Sequence, residues 1–292
     1  MNFFHAILLG LLQGITEFLP VSSSGHIAIL ENIFDFGNAD NLFFEVFLHI
    51  GTLFAVAAVL RKDLLRLFVE TLCMLRDLFE NLKLRIHNSR TKDAKRRKKI
   101  VHNQYRKMAV LLLISAIPTG IIGIAASELA VLAKLTLLTP GICLIFNGML
   151  LLVADASETS DKKPLDVSNT NGFLLGIAQG LSILPGLSRS GITITGGILC
   201  GFDCRLAVRF SYLMSVPAIL GALIVELTKV SWSSVTVSSV FVCIFGAVAA
   251  GVSGFFCIRK LLGIVRKKQF KWFAFYCILI GVLSIAGYFI TR

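Results

Sequence analysis

Stretches of twenty residues or more without a charged side chain recur along this chain, among them the apolar runs 108–127, 135–154, 230–258 and 272–291. A bilayer's hydrocarbon core is about 30 Å thick and a helix rises about 1.5 Å per residue, so each stretch is long enough to cross a membrane. With no water there to satisfy backbone groups, segments of this length and pattern must be helical. Only 16% of the residues are charged and 55% are hydrophobic, against about a quarter charged in soluble domains. The sequence therefore predicts an all-α polytopic membrane protein.

A net charge of +12 raises the possibility of a nucleic-acid partner, but its distribution argues against one. Of 29 Lys and Arg residues, 15 lie in 61–107, 2 in 155–171 and 6 in 259–271, all between apolar segments. That is the positive-inside pattern, and it places all three blocks in the cytoplasm. Six spans then follow, at 45–60, 108–127, 135–154, 206–225, 240–258 and 272–290, with both termini outside. The run Lys95–Lys99 reads as a topological anchor, with an anionic-lipid or partner site as the alternative. Seven cysteines, an odd count with no CxxC spacing, mostly fall in apolar runs, so neither a disulfide framework nor a metal cluster is expected. Residues 1–16 carry no Lys or Arg and run on into polar residues, which is not the pattern of a cleavable signal.

Two apolar segments are too short to be spans. Residues 3–16 break at 20–25 and resume briefly to 30, while 172–184 break at 185–191 and resume to 200. Interrupted stretches of this length predict two re-entrant helical hairpins. They are also copies of one another. A shift of 166 residues lays GLLQGITEFLPVSSSG (10–25) on GIAQGLSILPGLSRSG (176–191) without a gap, with six of sixteen positions identical. By the charge argument one copy enters from outside and the other from the cytoplasm, so the repeats are inverted. The whole chain, 1–292, is then a single membrane domain. It comprises repeat one at about 3–127, repeat two at about 172–258, a final helix at 272–290 and a basic cytoplasmic loop at 76–107. Inverted repeats with broken helices place a binding site near the midplane.

Each break opens a half-helix, and a helix N-terminus offers unpaired N–H groups and partial positive charge to an anion such as phosphate. Ser22, Ser24 and Gly25 of copy one, and Ser188, Ser190 and Thr193 of copy two, are candidate phosphate ligands. Close packing of small residues is the alternative role. The copies differ where chemistry needs them to. Copy one has Glu17, Ser23 and His26 where copy two has Ile183, Arg189 and Ile192. Arg189 supplies a planar cation able to grip phosphate with two parallel hydrogen bonds. Ser23 and His26, three residues apart, are a candidate nucleophile and base, with Glu17 orienting His26 or holding a divalent cation. Glu45 and His49, one turn apart, either face the same site or serve a helix end.

GLLQGITEFLPVSSSGH together with PGLSRSGIT (185–193), supported by FEVFLHIGT (44–52), resembles the bacitracin-resistance undecaprenyl-diphosphatase family over nearly the whole chain. The resemblance implies a bacterial plasma-membrane enzyme that hydrolyses undecaprenyl diphosphate to the monophosphate and recycles the carrier of cell-wall polymers. It also implies dependence on a divalent cation, Mg2+ or Ca2+. The family's first signature, Glu or Gln followed four residues later by Glu, falls on Gln13 and Glu17, so one carboxylate stands where many relatives have two. Its serine and histidine map to Ser23 and His26, and its arginine to Arg189. The expected site is thus Glu17, Ser23, His26 and Arg189 as catalytic residues, Gln13 with the Ser, Gly and Thr ligands above for substrate, and Glu17 for metal. Copy one's entry from outside places its opening on the external face. A lipid transporter is the rival, since carriers favour inverted repeats, although transport alone leaves the asymmetry of the two copies unexplained.

Overall fold

A computed structural model of the chain describes residues 3–34, 41–90, 95–158, 160, 162–230, 232, 235–264 and 269–291. Residues 91–94 and 265–268 of the basic blocks lie outside the described residues. Helices α1 (Phe3–Phe18) and α2 (Ser23–Ile33) flank the first break, followed by α3 (Asn41–Val59) and α4 (Arg61–Arg90). Next come α5 (Gln104–Ala125), the short α6 (Ser127–Lys134) and α7 (Leu138–Ala156). A 3-10 turn at Pro164–Asp166 leads to α8 (Asn169–Leu181) and α9 (Arg189–Leu199), which flank the second break. The chain then runs through α10 (Cys204–Lys229), α11 (Val237–Ile264) and α12 (Phe270–Ile290). Six of these helices, α3, α5, α7, α10, α11 and α12, are long and apolar enough to cross a membrane, matching the six spans expected from the charge pattern. The segment 76–107, expected as a loop, is helical as far as Arg90.

The breaks follow from local chemistry. Pro20 has no N–H and disfavours a helical residue before it, so α1 stops at Phe18 and a tight turn forms, with Val21 N donating to the Leu19 carbonyl at 2.7 Å. Ser22 then takes φ 71°, the single positive φ of a non-glycine residue among the described residues. Such a conformation costs about 1–3 kcal/mol and persists only where neighbours enforce it. In the second break Gly186, at φ 96°, makes the bend without that cost. Both half-helices are capped alike: Ser22 Oγ accepts from Gly25 N at 3.2 Å and Ser188 Oγ from Gly191 N at 3.0 Å. A shift of 166 residues carries α2 onto α9 residue for residue.

The helix before each break packs closely on a long apolar helix, α1 on α11 and α8 on α5. A Cβ on Gly10 or Gly14 of α1 would stand 2.3 or 2.2 Å from a carbonyl oxygen of α11, at Gly246 and Ala250. Their counterparts on α8 are as tight: at Gly176 the Ser115 carbonyl of α5 is 2.2 Å away, and at Gly180 the Ile122 Cβ is 2.8 Å away. The repeated glycines are therefore contact points that let the backbones meet. The first hairpin starts beside α11, Phe3 against Phe245 at 4.8 Å, and ends where Asn32 Nδ2 donates to the Lys134 carbonyl at 2.7 Å. The second starts where Lys107 Nζ donates to Asn169 Oδ1 at 2.6 Å and ends at a bridge between Lys162 and Phe202. This arrangement accords with re-entry from opposite ends of the bundle.

Candidate active site

The two breaks meet at one carboxylate. Ser23 is the first residue of α2 and Arg189 the first of α9, positions equivalent under the repeat. Both bond Glu17, near the end of α1: Ser23 Oγ donates to Oε2 at 2.5 Å and Arg189 Nη2 to Oε1 at 2.6 Å. Gln13, one turn earlier, adds Nε2 to Oε2 at 3.1 Å. Arg189 Nη1 also donates to the Ser215 carbonyl of α10 at 3.3 Å. Glu17 is 10% exposed and Arg189 17%, so the pair is largely withdrawn from solvent but not sealed. A desolvated carboxylate bonded to a hydroxyl on one oxygen and a guanidinium on the other is an arrangement that can draw a proton from the hydroxyl beside a fixed cation.

His26 is placed differently from expectation. Its Nδ1 lies 2.7 Å from the Ser22 carbonyl and its Nε2 2.9 Å from the Tyr276 hydroxyl of α12. A carbonyl only accepts, so Nδ1 carries the proton, and in the neutral ring Nε2 accepts from the tyrosine O–H. The Tyr276 ring stacks on the imidazole at 5.5 Å, 3° from parallel. Glu17 bonds Ser23 directly instead of orienting His26, and His26 holds the strained Ser22 backbone that presents Ser23. Glu45 and His49 make their hydrogen bonds elsewhere, Lys134 Nζ donating to both Glu45 oxygens at 2.9 and 3.2 Å and His49 Nδ1 lying 3.2 Å from Glu226 Oε2, yet His49 stays near enough to Glu17 for their charges to interact.

The expected phosphate ligands divide into two groups. Ser188, Ser190 and Thr193 are buried and committed to the protein. Ser188 Oγ caps α9 and pairs with Ser190 Oγ at 3.1 Å, Ser190 Oγ donates to the Leu19 carbonyl at 3.0 Å, and Thr193 Oγ1 pairs with Ser211 Oγ at 2.6 Å. These hydroxyls tie the breaks together. Ser22 is likewise a buried cap, and Gly25 lies so close to Gly186 that a Cβ would stand 2.6 Å from its Cα. Ser23, Ser24, Glu17 and Arg189 remain partly open. Three groups escaped sequence reasoning: Tyr276, the Ser215 carbonyl, and Asn147 of α7, whose Nδ2 donates to the Pro20 carbonyl at 2.9 Å from full burial. A polar amide in the apolar run 135–154 was the available signal, since burial demands a partner.

Among the described residues, the donor set around Glu17 does not fit a metal ion. Both Glu17 oxygens are engaged by donors, one of them a fixed cation, and Gln13 donates where a second carboxylate would coordinate. Among the described residues no group of three or more His, Cys, Asp or Glu is placed to hold a metal ion.

Fold and site together define a polytopic membrane protein with a polar, charge-bearing site assembled from two matched broken helices. The family described as bacitracin resistance protein BacA matches residues 6–283, and the chain belongs to it. It is 37% identical over 285 residues to an undecaprenyl-diphosphatase from Alkaliphilus metalliredigens, covering 98% of each chain. An undecaprenyl-diphosphatase from Halothermothrix orenii is 34% identical, covering 99% of this chain and all of the relative. One from Bacteroides fragilis is 33% identical, covering 98% of each.

Proposed function

We propose that this chain is an undecaprenyl-diphosphatase: it hydrolyses undecaprenyl diphosphate to undecaprenyl phosphate and inorganic phosphate, renewing the carrier for cell-wall polymers and conferring bacitracin resistance. The convergence of Ser23 and Arg189, equivalent positions of the two repeats, on the single carboxylate of Glu17 carries this reading. Binding or transport alone does not call for a hydroxyl in one copy and a guanidinium in the other.

Ser23 Oγ attacks the terminal phosphorus as its proton passes to Glu17 Oε2, and the bridging oxygen leaves with the lipid monophosphate. Water then attacks the phosphoserine and its protons leave with the inorganic phosphate, while the Ser23 oxygen departs and regains its own proton from Glu17. Of Arg189's five N–H groups two are committed within the protein, leaving donors for the equatorial phosphoryl oxygens, whose charge is the main burden of a loose transition state. Ser24 and the free N–H groups opening α2 add to that cradle. His26 and Tyr276 position Ser23. Cation dependence is proposed on the family resemblance alone, with Mg2+ or Ca2+ arriving on the diphosphate and not on the protein; no step above depends on it. The site opens to the external face of the plasma membrane, and the prenyl tail lies between spans in the bilayer.

Purified protein in detergent should release phosphate from undecaprenyl diphosphate, and Ser23→Ala and Glu17→Gln should each lower turnover by about 100-fold or more. Absence of release by the wild type, or near wild-type turnover by the Ser23 variant, would sink the assignment.

A further inference from the structure

Helix α4 leaves the α3 span after a single residue and runs for 30 residues, about 45 Å. Its large apolar side chains recur at alternating spacings of three and four: Leu65, Phe68, Leu72, Leu75, Phe79 and Leu82, closing at Ile86. All seven are between 49% and 66% exposed, so this stripe faces away from the bundle. The opposite face is spoken for. Each acid of α4 meets a cation from elsewhere in the chain: Asp63 meets Arg209, Glu70 and Asp77 meet Arg106, and Glu80 meets Lys98. The extended segment from Lys95 is pinned along that face by two asparagines. Asn88 exchanges hydrogen bonds with the Lys95 backbone at 3.0 and 2.8 Å, and Asn81 with the Lys98 backbone, both at 2.8 Å. Seven helical residues and three extended ones both span about 10 Å, which is why the two rows match.

With its acids neutralised on one side, α4 presents an apolar stripe bordered by Arg66, Arg76, Lys83, Arg85 and Arg90. Of these, Arg76 makes only long contacts, both at 3.9 Å, to acids of its own helix. The spacing alone would suit a coiled coil with a second copy. The flanking positions of such a pair, however, would set Arg76, Lys83, Arg85 and Arg90 against their own like, whereas stable coiled coils place opposite charges there. An apolar stripe edged by cations complements an anionic lipid surface.

We propose that α4 is an interfacial helix that buries its Leu65–Ile86 stripe in the bilayer surface next to the spans, held there by anionic lipid headgroups. The test uses the full chain on a Cys-free background, with single spin-labelled cysteines at Leu72, Leu75, Phe79 and Ser89, in nanodiscs of phosphatidylglycerol or of phosphatidylcholine. In phosphatidylglycerol, labels at 72, 75 and 79 should be reached by oxygen and shielded from an aqueous nickel reagent, while that at 89 should be open to it. Replacing Arg76, Lys83 and Arg85 together by Gln, or moving to phosphatidylcholine, should raise aqueous access at 72, 75 and 79 severalfold. Free aqueous access at all four positions in both lipids would overturn the proposal. So would spin coupling between copies at 72 and 79, which would mark a dimer contact.

Discussion

Glu17 receives three donors on two oxygens, and each neighbour makes a separable contribution. Arg189→Lys keeps the charge but loses the planar fork; losing two charge-assisted bonds at about 1.5 kcal/mol each lowers kcat/KM by about 100-fold. Turnover near wild type would reduce Arg189 to a packing cation. For His26 the geometry makes a sharper statement than the motif does. Asn can keep a donor to the Ser22 carbonyl while losing Nε2, so His26→Asn should retain more activity than His26→Ala. Tyr276→Phe should cost little, because it removes a donor to the ring and no reacting group. Equal losses in the Asn and Ala variants would instead make the imidazole itself part of the chemistry. Which residues gather at the site was legible from the repeat and its asymmetry. Who bonds to whom was not: a Ser-x-x-His spacing at a helix start suggests a pair, but the positive φ at Ser22 turns the imidazole toward a carbonyl.

Among elements, the helix–break–helix segments α1–α2 and α8–α9 were the most legible, because a short apolar run ending in a Pro, Ser and Gly cluster cannot continue as one helix. The identical glycines fixed which faces pack, though not on which helix; the exchange of α1 onto α11 and α8 onto α5 depends on shapes that spacing does not encode. Helix α4 was missed because its charges read as a loop, when in fact its acids are paired across an interface. Arg106 is the centre of that interface, with Nε on Glu70 at 2.9 Å and Nη1 on Asp77 and the Ile100 carbonyl at 2.6 and 2.8 Å. Hydrogen bonds from Arg106 hold both the Glu70 and Asp77 carboxyls below their usual range. Carboxyls with lowered values stabilise the docked state above the ordinary carboxylate range, near pH 4, and lose that stabilisation as pH falls through their lowered values. Amide exchange across α4 should therefore be slow at pH 7, after correction for intrinsic rates, and should quicken sharply toward pH 3. Arg106→Ala should already show the fast pattern at pH 7. Exchange in α4 that ignores both pH and the variant would mean that packing, not this ion cluster, docks the helix.

At the scale of the molecule, the contacts gather the described basic segments at one end. Lys107 meets Asn169, Arg209 meets Asp63, and Asp155 Oδ1 accepts from the Phe270 backbone at 2.8 Å, joining the segments before α5, α8, α10 and α12. Lys134 and Lys229 lie at the other end, where Lys134 is paired with Glu45. The charge bias sets orientation, and orientation decides which water reaches Glu17: the first hairpin starts and ends at the end of the bundle that holds α6. The proposed reaction on the external face requires that end outside. Single cysteines at Glu128 and Lys229 on the Cys-free background should react with a membrane-impermeant maleimide on intact cells. Those at Ser89 and Ser168, all four being exposed positions, should react only after lysis. Labelling of Ser89 on intact cells would invert the molecule, turn the Ser23 side of the site toward the cytoplasm, and leave the spent carrier on the wrong face for the proposed reaction.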